Sequence, residues 1–136
     1  MLARFCDPDT IAYVQCNDES DEHFEELKAM EQELKAFRTL DGNPYRLIPL
    51  PMADKAFWDG EQLPASYANF LIINGAVLMP FYRSAKDVVA QNILQGAFPD
   101  REVVGIDCSV LIRQHGSLHC VTMQYPQGVV SQKVPY

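Results

Sequence analysis

FLIINGAVLMPFYRSAKDVVAQNILQGAFPDREVVGI, residues 70–106, is the stretch of sequence that decides the fold. Its first part holds two apolar runs, residues 70–73 and 76–81, on either side of Asn74-Gly75. This dipeptide is typical of two-residue hairpin turns, because both of its positions tolerate positive φ. The pattern therefore predicts two antiparallel strands.

The second part of the stretch predicts a helix and a third strand. Ser84 and Asp87 have the spacing of a capping box, which indicates a helix over residues 85–97. The β-branched run at residues 103–106 then predicts a strand.

A similar order of elements occurs earlier in the chain. Residues 11–16 predict a strand, residues 21–37 a helix and residues 45–50 another strand, whereas residues 51–64 are expected to form a loop. The helix has apolar residues every three or four positions: Phe24, Leu27, Met30, Leu34 and Phe37. Two β–α–β units favour an α/β or α+β fold with mixed sheets, and no second domain boundary is evident.

The C-terminal part of the chain predicts less regular structure. A short helix or turn is expected to lead to Gly116, followed by a last strand over residues 118–123. From Tyr125 onward the sequence has little periodicity.

Composition excludes several classes of protein. The 136 residues are 48% hydrophobic and 21% charged, as in ordinary globular domains. A net charge of −7 argues against nucleic acid or an anionic membrane as a partner. No run approaches the roughly 20 apolar residues that span a bilayer, and no secretory signal is visible. Four widely spaced cysteines without a CxxC pair favour free thiols, so we expect a cytoplasmic location.

The densest group of reactive side chains is Cys108, His115, His119 and Cys120. Zinc is one interpretation, but structural zinc ligands usually come in closely spaced pairs, and neighbours on a strand point to opposite faces. A nucleophilic role for Cys120, which follows a glycine turn, is a second interpretation. Burial of Cys120 as a small hydrophobic residue is a third, and spacing alone favours it.

Five segments carry a resemblance to a known family. Residues 116–124 (GSLHCVTMQ) are similar to the C-terminal motif of the agmatine deiminases, which include the Porphyromonas-type peptidylarginine deiminases. Residues 63–70 (LPASYANF) and 73–76 (INGA) resemble another block of the family, and residues 98–101 and 104–106 resemble the strand before its active-site turn. The likeness extends over nearly the whole chain.

The resemblance implies a pentein fold, an α/β propeller of five ββαβ modules around a central site. This chain would be a single C-terminal portion, residues 1–136, with about two modules at residues 5–60 and 61–126. The N-terminal modules of its own chain would then be missing. Apolar residues of the 70–81 run would be partly exposed or covered by another copy, so a homo-oligomer is one possible outcome.

The resemblance also implies the chemistry. Cys120 would be the nucleophile in the conversion of agmatine to N-carbamoylputrescine and ammonia, a step in putrescine biosynthesis, through a covalent thiouronium intermediate. This reaction needs no metal or cofactor, and the partner would be a small guanidine substrate. Asn69 and Gly116 would help to shape the substrate site. Asn69 could equally satisfy backbone groups at a turn, and Gly116 could permit an unusual backbone angle.

In the family, the acid–base histidine and a guanidinium-binding aspartate form a Gly-His-x-Asp motif immediately before the segment that matches Met1–Phe5. The resemblance therefore does not give His119 the acid–base role. Arg113-Gln114-His115 departs from the glycine-richer sequence of agmatine-specific members. The substrate is thus agmatine, peptidyl arginine or another guanidine, and a catalytically incomplete fragment is the alternative outside enzymes.

Overall fold

The computed structural model describes residues 1–126 and 128–129, within which the elements alternate between strands and helices. The strands are β1 (Ala3–Asp7), β2 (Thr10–Gln15), β3 (Arg46–Pro51), β4 (Ala56–Trp58), β5 (Glu61–Leu63), β6 (Leu71–Ile73), β7 (Ala76–Phe81) and β8 (Glu102–Asp107). The helices are α1 (Phe24–Ala36) and α2 (Lys86–Ala97), and two short 3₁₀ turns cover Leu111–Gln114 and His119–Val121. The expected mixed α/β class is confirmed.

Two three-stranded sheets have the same topology. In the first, β1 and β2 form an antiparallel hairpin and β3 lies parallel to β2 after the α1 crossover. In the second, β6 and β7 form the hairpin and β8 lies parallel to β7 after α2. The chain thus contains two ββαβ units, joined by the small β4–β5 hairpin.

One apolar core runs through both units. Val14 and Leu50 of the first sheet lie in the same buried cluster as Phe70 and Met79 of the second, together with Leu94 of α2. Helix α2 also packs against β3, across the boundary between the units. Because the units share a core, the loops at their ends are held in fixed positions relative to each other.

The capping box at the start of α2 is present. The Lys86 N–H donates to Ser84 Oγ at 3.0 Å, and the Ser84 N–H donates to the Asp87 carboxylate at 3.1 Å. Two N–H groups that lack a helical partner are thereby satisfied, which fixes where the helix begins.

Three local expectations were wrong. Strand β1 was not predicted, and residues 51–64 form the β4–β5 hairpin rather than only a loop. That hairpin turns at Asp59-Gly60, where both residues have positive φ, so this dipeptide was a usable but overlooked indication. Residues 118–123 do not form a strand, because the Cys120 N–H bonds to the carbonyl of Ser117, three residues earlier, instead of to a neighbouring strand.

The 70–81 run is buried in part and exposed in part. Phe70, Val77 and Met79 have no exposed surface, whereas Ile72, Leu78 and Phe81 are half-buried and Ile73 at the hairpin turn is 40% exposed. In the part of the chain that the structure describes, neither helix is long and apolar enough to cross a membrane.

Buried thiol and phenol groups predict a loss of stability at alkaline pH. Burial raises the pKa of Cys6 from 9.0 to about 11 and also raises the pKa values of Tyr67 and Cys108. Above pH 9 the unfolded chain releases protons that the folded chain keeps, so stability is full below pH 9 and falls as the pH rises. We expect the melting temperature to drop by at least about 4 °C between pH 8.5 and pH 10.5.

Thermal unfolding monitored by circular dichroism checks this expectation. The Cys6→Ala variant should have a shallower decline with pH, whatever its stability at neutral pH. If the decline is as steep in this variant as in the wild type, ionisation of Cys6 does not cause the loss of stability.

Candidate active site

Cys120 lies on the short turn His119–Val121 and is exposed to solvent. All four cysteines belong to the described residues, and Cys6, Cys16 and Cys108 are buried. The interpretation of Cys120 as a buried structural residue is therefore wrong. Its thiol is accessible to a ligand or reagent, whereas the other three are shielded.

Asn69 is the side chain that contacts the Cys120 sulfur. Its Nδ2 donates to Cys120 Sγ at 3.4 Å, and its Oδ1 accepts the His119 N–H at 2.8 Å. Because the backbone N–H requires the amide oxygen, the NH₂ group of Asn69 must face the sulfur. Asn69 is buried, with 5% of its surface exposed. It contacts His119 across a separation of 50 residues in the sequence.

The contacts of Cys120 favour its thiolate form. The pKa of the thiol is lowered, first by the Asn69 hydrogen bond and then by a backbone hydrogen bond from Ser117. A thiolate that is both exposed and stabilised has the properties of a nucleophile.

Gly116 is needed because of its contact with Cys120. A Cβ atom at Gly116 would lie 3.1 Å from Cys120 Cβ and 3.7 Å from Cys120 Sγ. The left-handed backbone conformation belongs to His115, with a φ of 64°, and not to Gly116. A side chain at Gly116 would therefore crowd the side chain of Cys120, whereas an unusual backbone angle is not the reason for this glycine.

The two nearby histidines face different surroundings. His119 has a lowered pKa, because of burial and then the charge of Arg4, so it is held neutral. Arg4 donates to the Phe70 carbonyl and lies 4.8 Å from the centre of the Phe70 ring. His115 Nε2 lies 3.3 Å from a carboxylate oxygen of Glu61, on β5.

Cys108 lies behind the site and not in it. Its thiol is buried and contacts the side chain of Ser117, and burial raises its pKa. Among the described residues, no three histidine, cysteine or acidic side chains are grouped so that they could hold a metal ion.

The sequence did not single out Ser66, Tyr82 or Ser117, yet they connect the segments of the site. The Tyr82 hydroxyl lies 2.8 Å from Ser117 Oγ and 3.1 Å from the Ser66 carbonyl oxygen. Ser66 Oγ also donates to the Met1 carbonyl at 2.7 Å. No motif identifies such contacts, because they join residues that are far apart in sequence.

The comparisons with known proteins show which family the chain resembles. Residues 1–126 match the sequence profile of the Porphyromonas-type peptidyl-arginine deiminases. The chain belongs to this family. The match includes Asn69, Gly116 and Cys120, the three residues that meet at the exposed thiol.

Individual relatives in the family are deiminases by name. A protein of Marinomonas sp. (strain MWYL1), provisionally named agmatine deiminase, is 31% identical over 88% of this chain and 37% of its own length. A crystal structure from Porphyromonas gingivalis, provisionally named arginine deiminase, is 65% identical with a TM-score of 0.91, over 93% of this chain and 38% of that one. A C. jejuni agmatine deiminase with substrate bound is 41% identical with a TM-score of 0.79, over 87% and 34% of the two chains.

The chain thus spans less than two-fifths of these relatives.

Removal of the Asn69 side chain should weaken the thiolate. We expect Asn69→Ala to raise the pKa of Cys120, since a hydrogen bond to a charged group is lost. The pH at which alkylation by iodoacetamide is half-maximal measures this pKa. An exposed asparagine outside the site, replaced in Asn43→Ala, is the matched control and should leave the midpoint unchanged. Equal midpoints in Asn69→Ala and the wild type would contradict a role for Asn69.

Proposed function

We propose that this chain provides the nucleophile of a guanidine-hydrolysing deiminase, with Cys120 as the attacking residue and agmatine as the substrate. The Cys120 thiolate adds to the guanidinium carbon, and one amino group leaves as ammonia after it gains a proton. Water then adds to the resulting thiouronium carbon and the C–S bond breaks. N-carbamoylputrescine leaves, the thiolate is restored, and no metal or cofactor takes part.

One observation carries the proposal: an exposed thiol whose anion is stabilised by the buried Asn69 amide. The guanidinium carbon is a poor electrophile, so the reaction needs a soft nucleophile that is already ionised near neutral pH. A cysteine that served only to fill the core would have neither the exposure nor the polar partner.

The rest of the catalytic machinery is expected from segments outside the two ββαβ units. The polar partners of the Cys120 thiol in the described residues, Asn69 and Ser117, are uncharged, and a guanidinium cation needs carboxylates to hold it. The Met1 carbonyl accepts a hydrogen bond from Ser66, beside the site, so a segment joined to Met1 would be near the site. The histidine and aspartate of the family's Gly-His-x-Asp motif would arrive there.

We infer a five-module pentein propeller in which residues of about 5–60 and 61–126 form two modules. The shared topology of the two units supports this inference.

A peptidyl-arginine deiminase is the second candidate, favoured by the family profile and by the loop before the nucleophile. In that loop the Arg113 guanidinium lies 3.6 Å from the centre of the Trp58 ring, on the β4–β5 hairpin. Trp58 and its neighbour Phe57 are 49% and 62% exposed, which offers an open surface to a longer substrate. A non-catalytic fragment is the third alternative.

A substrate comparison in the complete enzyme separates these candidates. Formation of ureido product is measured with agmatine, with free arginine and with a peptide that contains an internal arginine. A kcat/KM at least about tenfold higher for agmatine than for the peptide supports the proposal, because that ratio corresponds to about 1.4 kcal/mol of transition-state preference. The reverse order supports the peptidyl-arginine activity. If none of the three substrates gives product, the result supports a non-catalytic fragment.

A further inference from the structure

Two tight turns present the two polar groups of the site. In the first, the Asn69 N–H donates to the Ser66 carbonyl at 3.2 Å, and this turn leads into β6. In the second, the Cys120 N–H donates to the Ser117 carbonyl at 3.1 Å. Asn69 and Cys120 therefore occupy the same position, the fourth, in turns that face each other.

The Tyr82 hydroxyl joins the first residues of these two turns. It accepts the Ser66 N–H at 3.2 Å, donates to the Ser66 carbonyl at 3.1 Å and lies 2.8 Å from Ser117 Oγ. The hydroxyl then donates one hydrogen bond and accepts two, which is the largest number that a hydroxyl group can form. Ser66 and Ser117 are 5% and 2% exposed, so these bonds are shielded from competing water.

Tyr82 is itself held firmly in place. Its N–H donates to the buried carboxylate of Asp87 at 3.1 Å, and its ring packs against Tyr67 with 5.7 Å between ring centres. Burial raises the pKa of Tyr82, which keeps the hydroxyl protonated and able to donate. The Asp87 contact ties Tyr82 to the start of α2, and the Tyr67 contact holds its ring against the Ser66–Asn69 turn.

The alignment that results is sensitive to small movements. The hydrogen bond from Asn69 to the Cys120 sulfur is 3.4 Å long, and the turns that carry its two ends come from segments about 50 residues apart. Because a hydrogen bond weakens steeply with distance and angle, a shift of one turn relative to the other would reduce thiolate stabilisation.

We propose that Tyr82 is a positioning residue for the nucleophile: its hydroxyl locks the Ser66–Asn69 turn to the Ser117–Cys120 turn and so keeps the Asn69 amide on the Cys120 sulfur. Its contribution to turnover rests on the proposed function, whereas its contribution to thiol ionisation does not.

The test uses two variants. Tyr82→Phe removes only the tyrosine hydroxyl, and Ser117→Ala removes the serine hydroxyl that it contacts but keeps the Ser117 carbonyl. Tyr13→Phe is the matched control, because it also removes the hydroxyl of a buried tyrosine but lies in the first sheet. In the 136-residue chain, alkylation of Cys120 by iodoacetamide is followed from pH 5 to pH 10. In the complete enzyme, kcat and KM are measured.

We expect Tyr82→Phe to move the alkylation midpoint to higher pH and to lower the thiolate fraction at pH 7 about threefold to tenfold, as the loss of one hydrogen bond allows. Ser117→Ala should shift the midpoint in the same direction, and the double variant should shift it little further than either single variant. In the complete enzyme, kcat should fall by a similar factor while KM changes less than about twofold.

An unchanged alkylation midpoint in both folded single variants would overturn the proposal, even if the melting temperature or kcat fell. An equal shift in Tyr13→Phe would also overturn it, because the effect would then come from general destabilisation. If Tyr82→Phe fails to fold, Ser117→Ala alone decides. A shifted midpoint in the 136-residue chain, together with a wild-type complete enzyme that hydrolyses no guanidine, would support the positioning role and reject the proposed function.

Discussion

Replacement of Cys120 by alanine in the complete enzyme should lower turnover by roughly 10⁴-fold or more, the scale at which loss of a nucleophile removes the covalent route. The fold should remain, because the substitution deletes one exposed sulfur atom that touches the Asn69 amide. Cys120→Ser should fail as well, since an alcohol at this position is almost fully protonated near neutral pH. Release of ammonia and ureido product measures turnover, and the melting temperature checks the fold.

Two other cysteines of the chain serve as controls for this experiment. Cys6 and Cys16 are buried and belong to the apolar core, away from the exposed thiol. Cys6→Ala and Cys16→Ala should keep kcat within about twofold of the wild type, at some cost in stability. Substantial turnover in Cys120→Ala or Cys120→Ser would reject the assignment of the nucleophile.

The second large effect is expected when the 136-residue chain is assayed by itself. We predict no measurable deiminase turnover, although Cys120 should still be alkylated readily. The thiol partners in the described residues, Asn69 and Ser117, supply neither a charge to hold a guanidinium nor an acid to protonate the leaving ammonia. Catalytic groups that act as a unit lose nearly all activity when part of the unit is absent.

The measurement pairs the ureido assay with mass spectrometry of the alkylated chain, so that inactivity and a blocked thiol are told apart. Addition of the preceding modules should restore turnover. If the chain alone turned over agmatine as fast as a complete relative, a residue such as His115 would have to act as the proton donor.

Local patterns predicted most of the fold. Both helices, the Asn74-Gly75 hairpin and the capping box follow from rules that concern residues fewer than five positions apart, and these features occur as expected. The strand predicted over residues 118–123 is absent for a physical reason. The Asn69 amide takes the His119 N–H that a neighbouring strand would otherwise use.

The candidate site, like the fold, was predicted from local patterns only in part. Cys120 and Asn69 were named from motifs, and the structure brings them together. Their contact, and the reason for Gly116, depend on a distance between segments about 50 residues apart, which no local pattern encodes. Tyr82 was missed because its role lies wholly in such distant contacts.

The repeated topology has a consequence for how chemistry could be changed in this fold. Asn69 stands two residues ahead of β6, and Met1 stands two residues ahead of β1, so the two residues occupy equivalent places in their units. Asn69 contacts the Cys120 sulfur, and the Met1 carbonyl accepts a hydrogen bond from Ser66, at the start of the turn that ends at Asn69. The segments that enter the two hairpins therefore lie against each other next to the site. Side chains of different chemistry could be introduced in these segments while every strand and helix keeps its sequence.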